Sequence, residues 1–585
     1  MPASLIDAES LLAVDVGSVT TQATLFDVVD GCYRFIAAGR APTTATAPLR
    51  DISHGVIEAI QSLQSITGRT FLSNDRQLIV PVQEGAGVGS FAATLSAGPA
   101  IKTVVVGLLD DVSMESVQRL ARSTYTRVVE TISLNDARKP EEQIDSIVRL
   151  TPELILMAGG TDRGATRSVE KILEVVGLAC FLLPADKHPA VLYAGNQNLA
   201  EQVKTALQPL TSALTISPNI RPALESEDLQ PAQNALSGLV THIRSAQMSG
   251  VDDLNKWAGG TLMPTASARG RIVRFLSEVY GKKKGILSVD IGASCATIAA
   301  GFGGEMTLGV YPQLGLGEGL VNLLRYTNLE DIQRWVLLDI APEAVRDYLY
   351  QKSIYPATLP AVIEDLAIEQ ALARQNLLLA VKAAMRDFPA GIPRPAAGLL
   401  PSFEPILAGG SPITHAPTLG QALLILLDGI QPTGITTIIL DQNNLLPGLG
   451  AAASRSSILP VQVLESGAFQ GLATVVSPVA DVKYGTPILR ARLVDENGNQ
   501  SKADIKMGAL EILPLASGQS GTLYLEPLHR TDFGLGPGRS RKEGIPVNGT
   551  MVGVVIDGRG RPLRLPADPA HRRELLKKWL WTVGG

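Results

Sequence analysis

The sequence predicts an α/β protein built from two duplicated lobes, with an inserted α/β layer and a β-rich C-terminal domain. Three observations lead there. A strand–turn–strand–turn–strand pattern occurs twice, at 11–39 and again at 286–311, and each copy ends its first strand in Asp-x-Gly. Between the copies, apolar runs alternate with amphipathic stretches over 100–216, the rhythm of a parallel sheet. Glycine (56) and proline (37) are plentiful while aromatics make up only 4%, which favours many tight turns over a helical bundle.

In the first copy, Leu11–Val16 is an apolar strand, Gly17-Ser18 a turn, Thr21–Phe26 an alternating strand, Asp30-Gly31 a hairpin signal and Tyr33–Ala38 a third strand. Apolar Ile52, Val56, Ile60 and Leu63 then recur at helical spacing within 49–65. Thr103–Leu109, Leu154–Met157 and Ala190–Tyr193 read as parallel strands, with Ser113–Arg127 and Arg167–Val176 as helices. Residues 220–284 look helical and close in a basic connector, Gly281-Lys282-Lys283-Lys284-Gly285. The second copy runs Ile286–Ile291, Cys295–Ala300 and Glu305–Val310. Helices are expected in 316–388 and a loop over Pro389–Pro405; from about 456 the chain turns β-rich and ends in a basic amphipathic helix, Pro569–Trp581. The expected domains are 1–98, 99–217, 218–284, 285–455 and 456–585.

Composition narrows the function. A net charge of −5 argues against nucleic-acid binding, which needs surplus Lys and Arg. Cys32, Cys180 and Cys295 are isolated from one another, fitting reduced thiols in a reducing compartment. Asp7 and Glu9 stand where a signal peptide needs basic and apolar residues, and no apolar run approaches the ~20 residues that span a bilayer. A cytoplasmic protein without a membrane partner is expected; an oligomer is compatible with the sequence.

The chemistry lies in the loops. In Asp15-x-Gly17-Ser18-x-Thr20-Thr21, a glycine after a strand lets backbone N–H groups face an anion, and the Ser18, Thr20 or Thr21 hydroxyls add phosphate donors. Asp15 repels phosphate, so its natural task is to hold Mg²⁺. Asp290-x-Gly292-Ala293-Ser294 repeats the pattern, and two such aspartates would suit one hydrated Mg²⁺ bound to a polyphosphate. Either loop alone is equally an ordinary tight turn. Ala408-Gly409-Gly410-Ser411 follows a short strand, and its paired glycines would admit a flat group such as adenosine. Asp441 and the small residues Gly448–Ala453 mark a helix start suited to a hinge.

The order of these pieces resembles the actin, Hsp70 and sugar-kinase superfamily. Within it the chain is most similar to the glutamate mutase MutL-type family. The residues that carry the likeness are Val14–Ser18, Leu156–Asp162, Ala194–Asn196, Val289–Gly292 and Leu407–Gly410, and it spans about 10–455. The resemblance implies a chaperone-like protein that binds ATP or ADP with Mg²⁺ and associates with an adenosylcobalamin-dependent carbon-skeleton mutase. It assigns Asp15 and Asp290 to catalysis and metal. Gly17, Ser18, Thr20, Thr21, Gly292, Ala293, Ser294, Gly409, Gly410 and Ser411 fall to the nucleotide. Two rivals stay open: a nucleotide-binding scaffold without turnover, and a sugar-kinase- or hydantoinase/oxoprolinase-like enzyme.

Two other motifs read as structural. Asp186-Lys187-His188 is similar to a cobalamin-ligating loop but has Val191 where that loop has glycine. Ala158–Asp162 is expected to be a strand-to-helix turn in which Asp162 or Thr166 caps the next helix. The second loop departs from the family's D-x-G-G-A-T-T-D, with Ala293 for the second glycine and Thr297 for the closing aspartate. Loss of that carboxylate predicts weak or absent ATP hydrolysis; steady-state turnover matching that of Hsp70-type ATPases would contradict it.

Overall fold

The computed structural model describes residues 9–162, 164–280 and 284–585. Asp7 and the Gly281-Lys282-Lys283 part of the basic connector lie outside them. The chain divides into two compact units. One holds the chain up to Gly31 with Ile36–Ala268 and Ala451–Ser456; the other holds Cys32–Phe35, Arg269–Gly450 and Ser457–Gly585.

The first unit opens with strands β1 (Leu11–Val16), β2 (Thr20–Val29) and β3 (Cys32–Pro42), then the helix Ser53–Thr67 and β4 (Ser90–Leu95). β1 is apolar on both faces because it lies inside the sheet, antiparallel to β2 and parallel to β4. The helix buries Val56, Ala59, Ile60 and Leu63, one stripe of 3.6-residue periodicity, and ends at Gly68 in the left-handed region (φ 70°).

After β4 the chain builds a separate parallel layer from β5 (Ile101–Val106), β6 (Thr126–Ile132), β7 (Leu154–Met157), β8 (Ala190–Tyr193) and β9 (Ala213–Ile216). The strand order is β6-β5-β7-β8-β9. Both faces are covered: Thr166–Leu182 packs on one, Gln230–Gln247 on the other. The chain then returns to its first sheet through β10 (Met263–Pro264), parallel to β4. The layer is thus a true insertion.

The second unit repeats the opening with β11 (Gly285–Ile291), β12 (Ala296–Phe302) and β13 (Glu305–Tyr311). After the helices of 318–384 come β14 (Phe403–Gly409), the helix Leu419–Ile430, β15 (Gly434–Leu440) and the helix Leu445–Ala452. The two sheets correspond strand for strand: β3-β2-β1-β4-β10 in one and β13-β12-β11-β14-β15 in the other. This is the duplicated α/β fold expected from the sequence.

The C-terminal strands are β16 (Gln470–Ser477), β17 (Pro487–Asp495), β18 (Gln500–Lys506), β19 (Leu510–Leu513), β20 (Ser520–Pro527), β21 (Ile545–Asn548) and β22 (Val554–Asp557). β16, β22 and β19 extend the second sheet beyond β15, while β18-β17-β20-β21 form a sheet of their own. The terminal helix Pro569–Thr582 buries Leu576 and Trp579, and the Trp579 indole Nε1 donates to Gly508 O at 3.2 Å.

A buried ionic cluster joins the β-rich part to the lobe. Asp428, on Leu419–Ile430, meets Arg374 Nε of the helix Ile363–Ala384 at 2.9 Å and Arg559 Nη1 at 2.8 Å. Arg559 Nε and Arg561 Nη2 in turn meet the two oxygens of Asp557 at 2.8 and 2.7 Å. Burial alone would raise the Asp557 carboxyl, but Arg559 and Arg561 outweigh it and hold it well below the usual carboxylate range. Removing Asp557 takes the ion-pair partner from Arg561 and leaves Arg559 with Asp428 alone. Asp557→Asn should therefore cost about 3–5 kcal/mol in urea unfolding at neutral pH, and a loss under ~1 kcal/mol would contradict the cluster's role. Because this carboxyl is depressed on folding, its contribution is complete above the unfolded value near ~4 and is lost as pH falls through the lower folded value. Asp557→Asn should accordingly flatten the acid limb of the stability–pH curve.

Candidate functional site

Asp15 and Asp290 occupy the same register position in the two sheets. Asp15 lies opposite Gln22 on the antiparallel neighbour and Thr94 on the parallel one; Asp290 lies opposite Thr297 and Gly409. The turns that follow close alike, Gly17 N donating to Thr20 O at 3.1 Å and Gly292 N to Cys295 O at 3.0 Å. Both aspartates stand at the carboxyl ends of strands flanked by a parallel neighbour, the edge where open α/β sheets bind ligands.

In the first loop, Oδ1 of Asp15 accepts from Thr94 Oγ1 at 2.7 Å and from Thr265 Oγ1 at 2.8 Å. Ser18 is partly exposed and Thr20 exposed at the turn. Thr21 points the other way: it is fully buried, and its hydroxyl is shared with Thr43 Oγ1 at 2.8 Å. The structure does not bring it to the loop face. Gly17 is needed for close approach, since a Cβ there would stand 2.7 Å from Thr20 O.

In the second unit, Asp290 Oδ2 accepts from Arg269 Nη2 at 2.7 Å, and Arg269 is 2% exposed. The same guanidinium reaches Asn444 Oδ1 at 3.4 Å and Ser288 Oγ at 3.5 Å. Gly409 fits this ion pair: a Cβ there would meet Asp290 Oδ2 at 2.8 Å and both Arg269 terminal nitrogens at 3.2 Å. Gly410, at φ 95°, lies so close to β11 that a Cβ would stand 2.1 Å from Ile291 O. Both glycines of the pair expected to admit a flat ligand are also required by the protein's own close packing. Ser411 beyond it is exposed.

Asp441 caps the helix Leu445–Ala452, its two oxygens accepting from Leu445 N at 2.6 Å and Leu446 N at 3.0 Å. Burial raises its carboxyl above the ordinary range, although Arg269 and these N–H groups pull the other way. The Gly292–Cys295 turn is backed by Gly315–Gly317: Leu316 N donates to Gly292 O at 2.9 Å, and Gly315 leaves no room for a Cβ beside Ala293 O (2.6 Å). Asn376 Nδ2 holds that backing segment through Leu314 O at 3.1 Å. Ala293 and Ser294 are partly exposed, whereas Thr297 is buried with its hydroxyl 3.6 Å from Cys295 Sγ. Burial pushes the Cys295 thiol up to about 11, so it is no ready nucleophile at neutral pH.

The MutL protein family model matches residues 11–467. The chain belongs to the MutL protein family. Protein MutL of Clostridium tetanomorphum is 23% identical over 301 residues, which is 51% of this chain and 59% of that relative. The match therefore spans less than two thirds of the relative's length. Among solved structures, nucleotide-free acetone carboxylase is 12% identical, with 86% of this chain and 81% of that chain covered at a TM-score of 0.31. A ROK family glucokinase from Streptomyces griseus is 12% identical, with 76% and 98% covered at a TM-score of 0.28. A glycerol dehydratase reactivase is 12% identical, with 77% and 100% covered, also at 0.28.

Two features of this MutL-family chain depart from the sequence expectation. Neither Asp162 nor Thr166 caps the helix Thr166–Leu182, whose N-cap is Ala165 with no side-chain bond. Asp162 instead accepts from Asn219 Nδ2 at 2.8 Å and Gln197 N at 3.2 Å, tying together the loops after β7, β8 and β9. Arg269 was missed altogether. Its signal is a charged residue inside the apolar stripe Ala268, Ile272, Val273, Leu276 of the helix Thr265–Val279. Asp186-Lys187-His188 lies at the amino end of β8, away from the carboxyl edge of its sheet. Among the described residues no group of three or more His, Cys, Asp or Glu is placed to hold a metal, and no helix is long and apolar enough to cross a membrane.

The two glycines should respond unequally. Gly409→Ala pushes on side-chain ends and should cost about 1–3 kcal/mol; Gly410→Ala meets backbone in a left-handed conformation and should cost more. Denaturant unfolding of both variants checks the order, and equal or negligible losses would refute this packing.

Proposed function

We propose that this MutL-family chain binds ATP or ADP with Mg²⁺ and serves as a nucleotide-gated, chaperone-like partner of an adenosylcobalamin-dependent mutase of the glutamate mutase type, in the cytoplasm. The observation that carries the nucleotide half is the matched register of Asp15 and Asp290, each followed by a turn closed by glycine. Strand-end loops that carry hydroxyls suit phosphate. The phosphate candidates are Gly17, Ser18 and Thr20 in the first loop and Gly292, Ala293 and Ser294 in the second, and Gly409, Gly410 and Ser411 are the candidates for the adenosine. Asp15 suits Mg²⁺ chemically, since the ion takes hard oxygen donors and the Thr94 and Thr265 hydroxyls orient this carboxylate. When bound, the ion neutralises polyphosphate charge. The mutase half rests on family membership over residues 11–467.

A second reading, a nucleotide-binding scaffold without turnover, is favoured by one feature. Opposite Asp290 stands the buried Thr297, which offers no carboxylate to orient water. Titration calorimetry with ATP and ADP in the presence of Mg²⁺, run beside a hydrolysis assay, separates the readings. Binding with turnover supports the first and binding without it the second; no binding of either nucleotide overturns both. Co-purification with an adenosylcobalamin-dependent mutase, stronger with one nucleotide than the other, is expected of the gated partner.

A further inference from the structure

One face of the inserted layer carries large apolar side chains into solvent. The helix Thr166–Leu182 buries Val169, Ile172, Val176 and Ala179 in the core of that layer. On its outer side, however, Leu178, Phe181 and Leu182 are 53%, 68% and 58% exposed. Beside them an open hollow of about 660 Å³ lies between this helix and the helix Ala200–Leu207. Leu173, Gly177, Ala206 and Leu210 line it, together with Glu170 and Glu174.

Glycine inside a helix is about 1 kcal/mol less favourable than alanine, and the fold does not require it at 177. A Cβ there would meet only Leu207 Cδ2, at an ordinary 3.8 Å. The missing side chain instead deepens the hollow. Phe181 stands four residues on, along the same helical stripe. A protruding ring thus lies next to a recess that a ring can enter. A patch that carries both halves of one fit is satisfied by a twin patch turned end for end, which is the geometry of a two-fold contact. The charges agree. Glu170 and Lys171 lie toward the amino end of the helix, and Asp186 and Lys187 just beyond its carboxyl end. Antiparallel alignment sets Glu170 of one copy toward Lys187 of the other, and Lys171 toward Asp186. An anionic lipid surface is a poorer match, since Glu170 and Glu174 border the hollow.

We infer that this face joins two copies of the chain: the helices Thr166–Leu182 pack antiparallel across a two-fold axis near Leu178, and each Phe181 seats on the Gly177 hollow of the other copy. None of the nucleotide-candidate residues lies on this helix, so the contact leaves both candidate loops uncovered by its own residues.

The test uses the full chain in sedimentation equilibrium. The wild type should show twice the chain mass as concentration rises, and a monomer up to about 100 μM overturns the inference. Phe181→Glu should raise the dimer Kd by about tenfold or more. Gly177→Gln fills the hollow with a better helix former, so it should weaken the dimer to a similar degree while keeping or raising the Tm. That pairing of effects separates a lost contact from a damaged fold. A dimer that both variants leave unchanged overturns the inference. Geometry is read by a short bis-maleimide on a Cys32→Ser background, because Cys32 is the one native thiol not buried. Leu178→Cys, close to the axis, should give a covalent dimer; Arg167→Cys, about 16 Å along the helix from it, should not. Cross-linking through Arg167→Cys and not through Leu178→Cys places the contact elsewhere and refutes the antiparallel pairing.

Discussion

A single charge, placed where almost no water reaches it, organises the carboxyl edge of the second sheet. Arg269 is 2% exposed and must find its counter-charge inside the protein. It finds it in Asp290, 2.7 Å away at the end of β11. That pairing demands a residue without a side chain at 409, and it sets one group of the loop that opens the helix Leu445–Ala452, Asn444. Three segments distant in sequence thus depend on one guanidinium.

The same physics recurs on a larger scale at the other end of this unit. Arg374, Asp428, Asp557, Arg559 and Arg561 form a connected cluster with side chains 0–2% exposed. Such groups add little over a well-packed apolar core, but they are unforgiving of the wrong partner. The strands β16, β22 and β19 continue the second sheet, and the cluster pins the turn after β22 to the helix Leu419–Ile430. The β-rich residues are therefore bonded into the lobe by backbone ladders and by charge.

Duplication kept the backbone and released the side chains. β1 and β11 share neighbours, register and turn closure. Yet the residue across the parallel neighbour is Thr94 in one lobe, donating to the aspartate, and Gly409 in the other, making room for an arginine. Backbone ladders tolerate either, because what lies opposite a strand-end residue affects its chemistry more than its hydrogen bonds.

Much of the architecture was legible from local pattern. The two three-strand meanders, the βαβ rhythm of 100–216 and the two Asp-x-Gly turns are written in residues a few positions apart, and alternation and turn chemistry are short-range properties. Which side of a strand faces a site is a different matter. Thr21 sits next to Thr20, yet strand alternation and the helix Ser53–Thr67 send its hydroxyl inward to Thr43. Asp162 precedes a helix but bonds Asn219, far along the chain. The sequence by itself determined the class of fold, its duplication and the two aspartates at strand ends. Tertiary structure alone decided that Asp290 meets Arg269, that Gly409 serves that pair and that the C-terminal strands join the second sheet, because burial and charge pairing are settled between segments that only folding brings together.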